Sequence, residues 1–145
     1  MNARLVAHIV AVALATTSVG CSRSDPEREL RAAIASMAQA IEKREPSAFL
    51  DSISDDFTRE SGAFGKQDAK RLLVGATLRN EKISVNTVVT DVRMDGDRAH
   101  AKVRVFATGG AGLLPERGQS WNFDSVWRRE NGRWKVYNAE WVEAL

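Results

Sequence analysis

The stretch FDSVWRRENGRWKVYNAEW, from Phe123 to Trp141, predicts a β-hairpin on which the rest of the chain packs. Aromatic and small residues alternate with polar ones before Glu130, and the alternation resumes after Gly132. A period of two is typical of a half-buried strand, and Glu130-Asn131-Gly132 between the two runs is a tight turn. One face of this hairpin is therefore apolar and needs a cover. The predicted inward set is Trp121, Phe123, Ser125, Trp127, Trp134, Val136 and Asn138.

Two further strands are predicted upstream, over Ile83–Met94 and Arg98–Thr108. Asp95-Gly96-Asp97 between them is a second hairpin signal. In the second of these strands, alanines and valines alternate with a polar set. Four consecutive strands joined in this way predict a four-stranded antiparallel sheet. The polar set, expected on the solvent side, is Arg98, His100, Lys102 and Arg104.

Helical patterns fill the chain before these strands. The first helix begins at Asp25-Pro26 and ends near Lys43, because apolar residues recur there at helical spacing. A second, short helix begins at Pro46, turns Phe49, Leu50 and Ile53 inward, and ends at Ser54-Asp55-Asp56-Phe57. A third spans Lys66–Leu78, with Ala69, Leu72, Leu73 and Ala76 on one side. Helices followed by an antiparallel sheet predict an α+β fold in which the amphipathic first helix covers the apolar sheet face.

The first twenty residues differ from the rest of the chain. Arg4 is their only charge, and Leu5–Gly20 is apolar or small apart from His8, as in a secretory signal. The only cysteine, Cys21, follows Ser18-Val19-Gly20, and this junction resembles a bacterial lipoprotein signal. The resemblance implies that a diacylglycerol alkylates the thiol, that the chain is cut before Cys21, and that a fatty acid such as palmitate acylates the new amine.

Two alternatives to lipidation remain open: cleavage after Ala13-Leu14-Ala15, which would leave a free thiol, and an uncleaved anchor. The lipoprotein prediction divides the chain into a signal at 1–20, a lipidated cysteine and short tether at 21–25, and a domain at 26–145. It places the domain in the cell envelope, facing the periplasm, and close to a membrane. Since Ser22 and not aspartate follows Cys21, the outer membrane is expected if the source is Gram-negative.

The composition of the chain restricts the classes of function that it can have. The chain has 145 residues, enough for one domain, with 43% apolar and 28% charged residues. Removal of Arg4 lowers the net charge from +2 to +1, which leaves no global charge to attract nucleic acid. His100 is the only histidine after the signal, and no cluster of ligating residues or glycine-rich phosphate loop is found. Neither a metal nor a cofactor is therefore expected.

The order of four segments resembles the nuclear transport factor 2-like superfamily, which includes SnoaL-like and ketosteroid isomerase domains. The segments are AFLDSISDDF (48–57), GKQDAKRLL (65–73), DGDRAHAKVRV (95–105) and the hairpin at 123–141. The resemblance covers about Pro26–Val142. It implies a curved sheet wrapped around a long helix, which forms a cone with a pocket at its open end. The motifs are patterns of apolar spacing and turns, and such a fold hosts many functions.

The resemblance also implies where catalytic groups would lie. The general-base aspartate of ketosteroid isomerases matches Ser61, with Glu60 beside it, and the first helix lacks the tyrosine of their oxyanion hole. A pocket histidine found in some related domains matches Asn138, whose amide binds but does not titrate. The predicted function is therefore non-catalytic binding of a small apolar ligand or a protein partner. The alternatives are an isomerase- or cyclase-type enzyme using Glu60, and a structural subunit of an envelope complex.

The predicted ligand wall is Trp121, Phe123, Ser125, Trp127 and Asn138. The four tryptophans, Trp121, Trp127, Trp134 and Trp141, either line an aromatic ligand site or pack in the core against the first helix. An apolar wall with two polar groups suits a hydrophobic ligand with one polar end. The stripe of Arg98, His100, Lys102 and Arg104 is a solvated face, or else a surface for anionic lipid, an acidic partner, a second copy or an envelope protein. Asp55-Asp56 is read as a solvated turn or as a general-base pair, and Leu113-Leu114-Pro115 as a free loop or a cover over the pocket.

Overall fold

The structure, a computed structural model, describes residues 24–111 and 117–144. The predicted signal, Cys21 and Leu113-Leu114-Pro115 lie outside these residues. No helix within the described ranges is long and apolar enough to cross a membrane. The helices are α1 (Pro26–Glu42), α2 (Pro46–Asp51) and α3 (Lys66–Arg79), and a 3-10 turn covers Glu60–Gly62. The strands are β1 (Ile53–Arg59), β2 (Phe64–Gly65), β3 (Lys82–Asp95), β4 (Arg98–Gly110), β5 (Arg117–Glu130) and β6 (Arg133–Ala144).

The strands form one sheet in the order β2-β1-β6-β5-β4-β3. The predicted antiparallel succession from β3 to β6 is confirmed. The predicted number of strands is wrong, because β1 joins β6 in parallel and β2 pairs with β1. Ile53 and Ser54-Asp55-Asp56-Phe57, predicted as the end of the second helix, belong instead to β1. This strand forms by pairing with β6, which lies far away in the sequence. The fold is α+β, with a curved mixed sheet of six strands.

The long helix α1 covers the inner face of the sheet, as predicted. Asp25 caps it by accepting a hydrogen bond from the Glu27 amide at 3.0 Å, and Pro26 occupies its first turn. Its apolar stripe packs on the inner face of the sheet, with contacts to β3 and β6, and this burial forms the core. That core contains Leu30, Ile34, Ile53, Phe57, Ala99, Ala101, Val103, Trp127, Trp134, Val136 and Ala139.

The path of α1 across the sheet is diagonal. At its start, Glu29 forms an ion pair with Arg129 at the end of β5. At its end, the Glu42 carboxylate accepts a hydrogen bond from the Val85 amide of β3 at 2.8 Å. Val85 lies near the start of β3 and pairs with Ala107 near the end of β4, so α1 ends over these two strands. The start of β5 and the end of β6 are therefore left without the cover of α1.

Both predicted hairpin turns are present. Asn131 and Gly132 have φ of 51° and 78°, the left-handed pair that a two-residue turn of this kind requires and that Asn-Gly adopts readily. In the third helix, Leu73 is buried as predicted. The inward placement of Leu72 is wrong, since it is 58% exposed and Thr77 is buried instead.

Candidate ligand-binding site

The predicted wall on β5 is divided into a closed half and an open half. Ser125 and Trp127 are only 4% and 3% exposed. The Ser125 hydroxyl donates to the Ala101 carbonyl at 2.9 Å and accepts from Trp127 Nε1 at 2.9 Å. These bonds satisfy the polar atoms that burial would otherwise leave unpaired. Ser125 and Trp127 therefore belong to the core, and the hydroxyl is already occupied.

Asn138 lies on the other side of the sheet from Ser125. The register of β5 and β6 shifts between Val126 and Trp127, so that Tyr137 is an extra residue on β6. Asn138 therefore pairs with Val126, and Ala139 takes the place opposite Ser125. The prediction that Asn138 shares the inward face is wrong. Its amide donates to the carbonyl of Thr58 at 3.0 Å and so helps to hold β1 against β6.

The open half consists of half-buried side chains near the start of β5 and the end of β6 that α1 does not reach. Trp141 stacks on Phe123 with ring centroids 5.3 Å apart, and Phe64 meets Trp141 edge-on at 5.5 Å. The guanidinium of Arg59 lies 3.9 Å from the centre of the Trp141 ring. Trp121 precedes Phe123 on the same face of β5. We call Arg59, Phe64, Trp121, Phe123 and Trp141 the open wall.

Arg59 is the charged member of the open wall. Its Nη1 lies 2.6 Å from Glu60 Oε1, and Nη2 donates to the Trp141 carbonyl at 3.2 Å. Its Nε is buried and, among the described residues, has no hydrogen-bond partner. A guanidinium remains charged at any ordinary pH, and stacking on indole stabilises it. The open wall thus combines aromatic surface with one cation, and the carboxylates of Glu60 and Glu140 lie 2.6 Å and 4.0 Å from that guanidinium.

Sequence reasoning missed Arg59 and Phe64, and it named Trp141 only among the four tryptophans that either line a site or pack in the core. Arg59 and Phe64 belong to β1 and β2, which the sequence pattern did not reveal. The predicted alternation placed Trp141 on the outer face, and the bulge at Tyr137, which reverses the alternation along β6, turns it inward. A period-two reading restarted at Ala139 would have placed Trp141 inward.

Glu60 lies at the rim of the open wall, in an unusual backbone conformation. Glu60 and Ser61 have φ of 52° and 54°, the left-handed region that side chains larger than glycine rarely adopt. The Glu60 amide donates to Glu140 Oε1 at 2.9 Å, which helps to hold this turn. The Glu60 carboxylate is exposed and paired with Arg59. Two strained residues in succession at this position are a feature that often accompanies functional sites.

Asp55 and Asp56 are placed on β1, so the reading of them as a turn at a helix end is wrong. Both point away from the core and both are paired. Asp55 accepts from Lys66 Nζ at 2.8 Å, and this hydrogen bond holds the pKa of its carboxyl below the usual value. Asp56 accepts two hydrogen bonds from Arg128, which likewise lower its carboxyl pKa. Neither is therefore poised to accept a proton near neutral pH.

The predicted basic stripe lies on the outer face of β4, alternating with the buried Ala99, Ala101 and Val103. His100 Nε2 lies 2.7 Å from Asp124 Oδ1 on β5, so the stripe has an acidic neighbour on the adjacent strand. Exposed apolar side chains share this face: Val88, Phe106 and Val142. Within the described ranges, no group of three or more acidic, histidine or cysteine residues is arranged to hold a metal ion.

A curved sheet around one long helix, with an aromatic wall at its uncovered end, is the nuclear transport factor 2-like cone. Several solved structures share it over about four fifths of this chain. A proposed scytalone dehydratase from Novosphingobium aromaticivorans has 13% identity and a TM-score of 0.70, with 82% of this chain and 84% of that one covered. A proposed dehydratase of the NTF2-like family from Streptomyces avermitilis has 15% identity and a TM-score of 0.68, over 82% and 97%.

A hexachlorocyclohexane dehydrochlorinase of type 2 has 11% identity and a TM-score of 0.65, over 82% of this chain and 85% of that one. Identities this low show a common fold and leave the chemistry of each site to its own residues. No family model matches the sequence, and no curated protein matches it.

Proposed function

We propose that this protein is a lipid-anchored binding module of the cell envelope, which holds a small, mainly apolar ligand on its open wall without transforming it. The observation that carries the proposal is the Arg59–Trp141–Phe123 stack, which is half-buried where α1 gives no cover. Aromatic side chains that remain partly accessible beside a core supply apolar area for a ligand.

The ligand chemistry follows from the one charge in the open wall. Arg59 presents a cation flanked by indole, and an oxyanion at one end of the ligand, such as a carboxylate or sulfonate, would take the place of the Glu60 carboxylate at Arg59 Nη1. The aromatic rings supply the larger part of the affinity through buried area. The polar end is thus assigned to Arg59, because Ser125 is occupied in the core and Asn138 faces the other way.

A binding test uses 1-anilinonaphthalene-8-sulfonate, an aromatic probe with one anionic end. The full chain is purified in an uncharged detergent, and the detergent concentration is kept below that at which micelles take up the probe. We expect saturable probe fluorescence that Phe123→Ala weakens about tenfold, since one aromatic contact is lost. Arg59→Gln should weaken it as well, while keeping the hydrogen-bonding shape. Phe106→Ala removes an exposed ring from the outer face and serves as the matched control.

Binding that is unchanged in both Phe123→Ala and Arg59→Gln would overturn the assignment of the open wall. Equal weakening by Phe106→Ala would show that the probe coats exposed rings without a site. Circular dichroism of each variant identifies any loss of fold. Mass spectrometry of small molecules that co-purify with the chain then identifies the natural ligand.

The lipid anchor is tested at Cys21. Cys21→Ser should leave an unprocessed precursor that incorporates no radioactive fatty acid, and the wild-type chain should be processed and labelled. Processing of the mutant at its normal size would refute lipidation and favour cleavage after Ala15. In a Gram-negative host, the processed chain should sediment with the outer membrane, and its presence in the inner-membrane fraction would refute that location.

An isomerase- or cyclase-type enzyme is the second candidate, and the strained backbone at Glu60 and Ser61 is what favours it. Its base would be the Glu60 carboxylate, which must first leave its ion pair with Arg59. Incubating the chain with its co-purified ligand in heavy water separates the two candidates. Deuterium entering a carbon position of the ligand with wild-type protein, and not with Glu60→Gln, would establish the enzyme and overturn the binding-only proposal.

A further inference from the structure

The one charged group of the open wall is already in contact with a carboxylate of the chain. Arg59 Nη1 lies 2.6 Å from Glu60 Oε1, whereas Arg59 Nη2 donates to the Trp141 carbonyl at 3.2 Å. A second carboxylate oxygen, Glu140 Oε2, is 4.0 Å from Arg59 Nε. The Glu60 carboxylate therefore holds the position on the guanidinium that the anionic end of a ligand would need.

The backbone of Glu60 is what brings its carboxylate to Arg59. Arg59 is extended, with φ of -137° and ψ of 155°, and successive side chains of an extended strand point to opposite faces. Glu60 departs from that course, because its φ of 52° is left-handed. The chain turns back at this residue, and the two neighbouring side chains meet.

The turn at Glu60 has supports that do not involve its carboxylate. The Glu60 amide donates to Glu140 Oε1 at 2.9 Å, and the Ala63 amide donates to the Glu60 carbonyl at 3.2 Å. The Glu60 side chain is 53% exposed. Its carboxylate can therefore rotate into water while the turn keeps both of these hydrogen bonds.

The ion pair between Glu60 and Arg59 is weak enough to be exchanged. A pair with so exposed a carboxylate contributes little, since water solvates that group well after its release. A ligand that brings its own oxyanion restores the contact with Nη1 and also buries its rings against Phe123 and Trp141. Since one oxyanion replaces another, this contact needs no excess of positive charge. A neutral ligand gains nothing at Arg59 and leaves Glu60 in place.

We propose that Glu60 is the specificity-determining residue of the open wall, an internal carboxylate that the anionic end of a ligand must displace from Arg59. This inference rests on the function proposed above, because it concerns the same ligand and the same wall. An oxyanion that binds Arg59 more strongly than the Glu60 carboxylate reaches the guanidinium, and a weaker one is held by the rings alone. Glu60 thus discriminates between ligands by the chemistry of their polar end.

The test compares two probes that differ in one charged group. 1-Anilinonaphthalene-8-sulfonate carries a sulfonate, and N-phenyl-1-naphthylamine is the same ring system without it. Both are titrated into the full chain under the detergent conditions of the binding test above and followed by fluorescence. Glu60→Gln removes the charge of the internal carboxylate. Glu60→Asn also shortens the side chain, and the turn is kept because asparagine adopts a left-handed backbone readily.

The matched control is Glu143→Gln. Glu143 is exposed and lies two residues beyond Trp141 on the same face of β6, and among the described residues it forms no ion pair with Arg59. Its replacement removes the same charge near the open wall and leaves the contact of Glu60 with Arg59 intact.

We expect both Glu60 variants to tighten binding of the sulfonate probe about fivefold, the upper range for an exposed ion pair, and to leave the neutral probe within twofold. Glu143→Gln should leave both probes within twofold. Unchanged binding of the sulfonate probe in both Glu60 variants, while Phe123→Ala and Arg59→Gln still weaken it, would overturn this inference and leave the open wall in place.

Three other results would also count against the inference. If neither Phe123→Ala nor Arg59→Gln weakens the sulfonate probe, the proposed function itself fails, and this inference fails with it. A gain of the same size for the neutral probe in the Glu60 variants overturns the inference, because the substitution has then exposed apolar surface. An equal gain for the sulfonate probe in Glu143→Gln overturns it too, since general repulsion of the anion would explain both variants.

Discussion

Trp127 and Trp121 share one face of one strand and have different surroundings. Trp127 is buried beneath α1, within the core that contains Leu30 and Ile34, and its indole N–H bonds to Ser125. Trp121 lies beyond the end of that cover and remains half-exposed. The diagonal path of α1 is the physical cause of the difference. A uniform aromatic stripe can therefore serve as core at one end and as a binding surface at the other.

The largest difference between the two ends should appear in stability. Trp134→Ala removes a side chain that is 4% exposed and lies in the core, and we expect a loss of about 3–5 kcal/mol in the free energy of unfolding. Trp121→Ala at the open end should cost about 1–2 kcal/mol, since less area is uncovered. Urea unfolding measures both. Equal losses would show that α1 covers the two ends alike.

A smaller effect is expected for the hydrogen bonds of the closed half. Ser125→Ala leaves Trp127 Nε1 buried without an acceptor, which should cost about 1–3 kcal/mol. Ser120→Ala on the outer side of the same strand is the control and should stay within about 0.5 kcal/mol. If the two variants unfold at the same urea concentration, the Ser125 hydroxyl is not needed in the core.

Acid should weaken the outer side of the sheet. Hydrogen bonds from Ser54 and Arg128 hold the pKa of Glu130 below its usual 4.5, and Arg128 holds the pKa of Asp56 below 3.8. A lowered folded-state pKa stabilises the fold above the ordinary value, and that stabilisation is lost as pH falls through the folded value. Stability should therefore decrease below about pH 4.5. The effect is modest because these side chains are partly exposed.

Glu130→Gln should flatten this dependence, whereas Glu143→Gln, an exposed acid on β6, should not. Urea unfolding at a series of pH values provides the comparison. An unchanged slope in Glu130→Gln would mean that the Ser54–Glu130–Arg128 contacts contribute nothing to acid sensitivity.

The smallest expected effect is that of pH on ligand binding, which should not change with pH near neutrality. The open wall has four aromatic residues and Arg59, and none of these side chains has an ordinary pKa between about 5.5 and 8. Binding of 1-anilinonaphthalene-8-sulfonate should therefore vary less than twofold across that range. A larger variation, followed by fluorescence titration, would place a titrating group at the site and strengthen the enzymatic alternative through Glu60.

Strong local patterns were predicted well because they depend on neighbours in the chain. The amphipathic α1 and the hairpin at Asn131-Gly132 follow from helical spacing and turn chemistry. The alternation on β4 likewise placed Arg98, His100, Lys102 and Arg104 outside. β1 was missed because seven residues with two adjacent acids show no clear period, and pairing with β6 forms the strand. Arg59 and Phe64 of the candidate site were missed for the same reason, because they belong to β1 and β2.

The sequence by itself determined the α+β class, the long covering helix, the antiparallel order of the four long strands and the position of the aromatic stripe. The tertiary structure alone decided which part of that stripe is core, because cover depends on where α1 crosses the sheet. It also decided the side on which Asn138 lies. One extra residue at Tyr137 reverses every later side chain of β6, and a bulge is set by pairing between strands that no local period records.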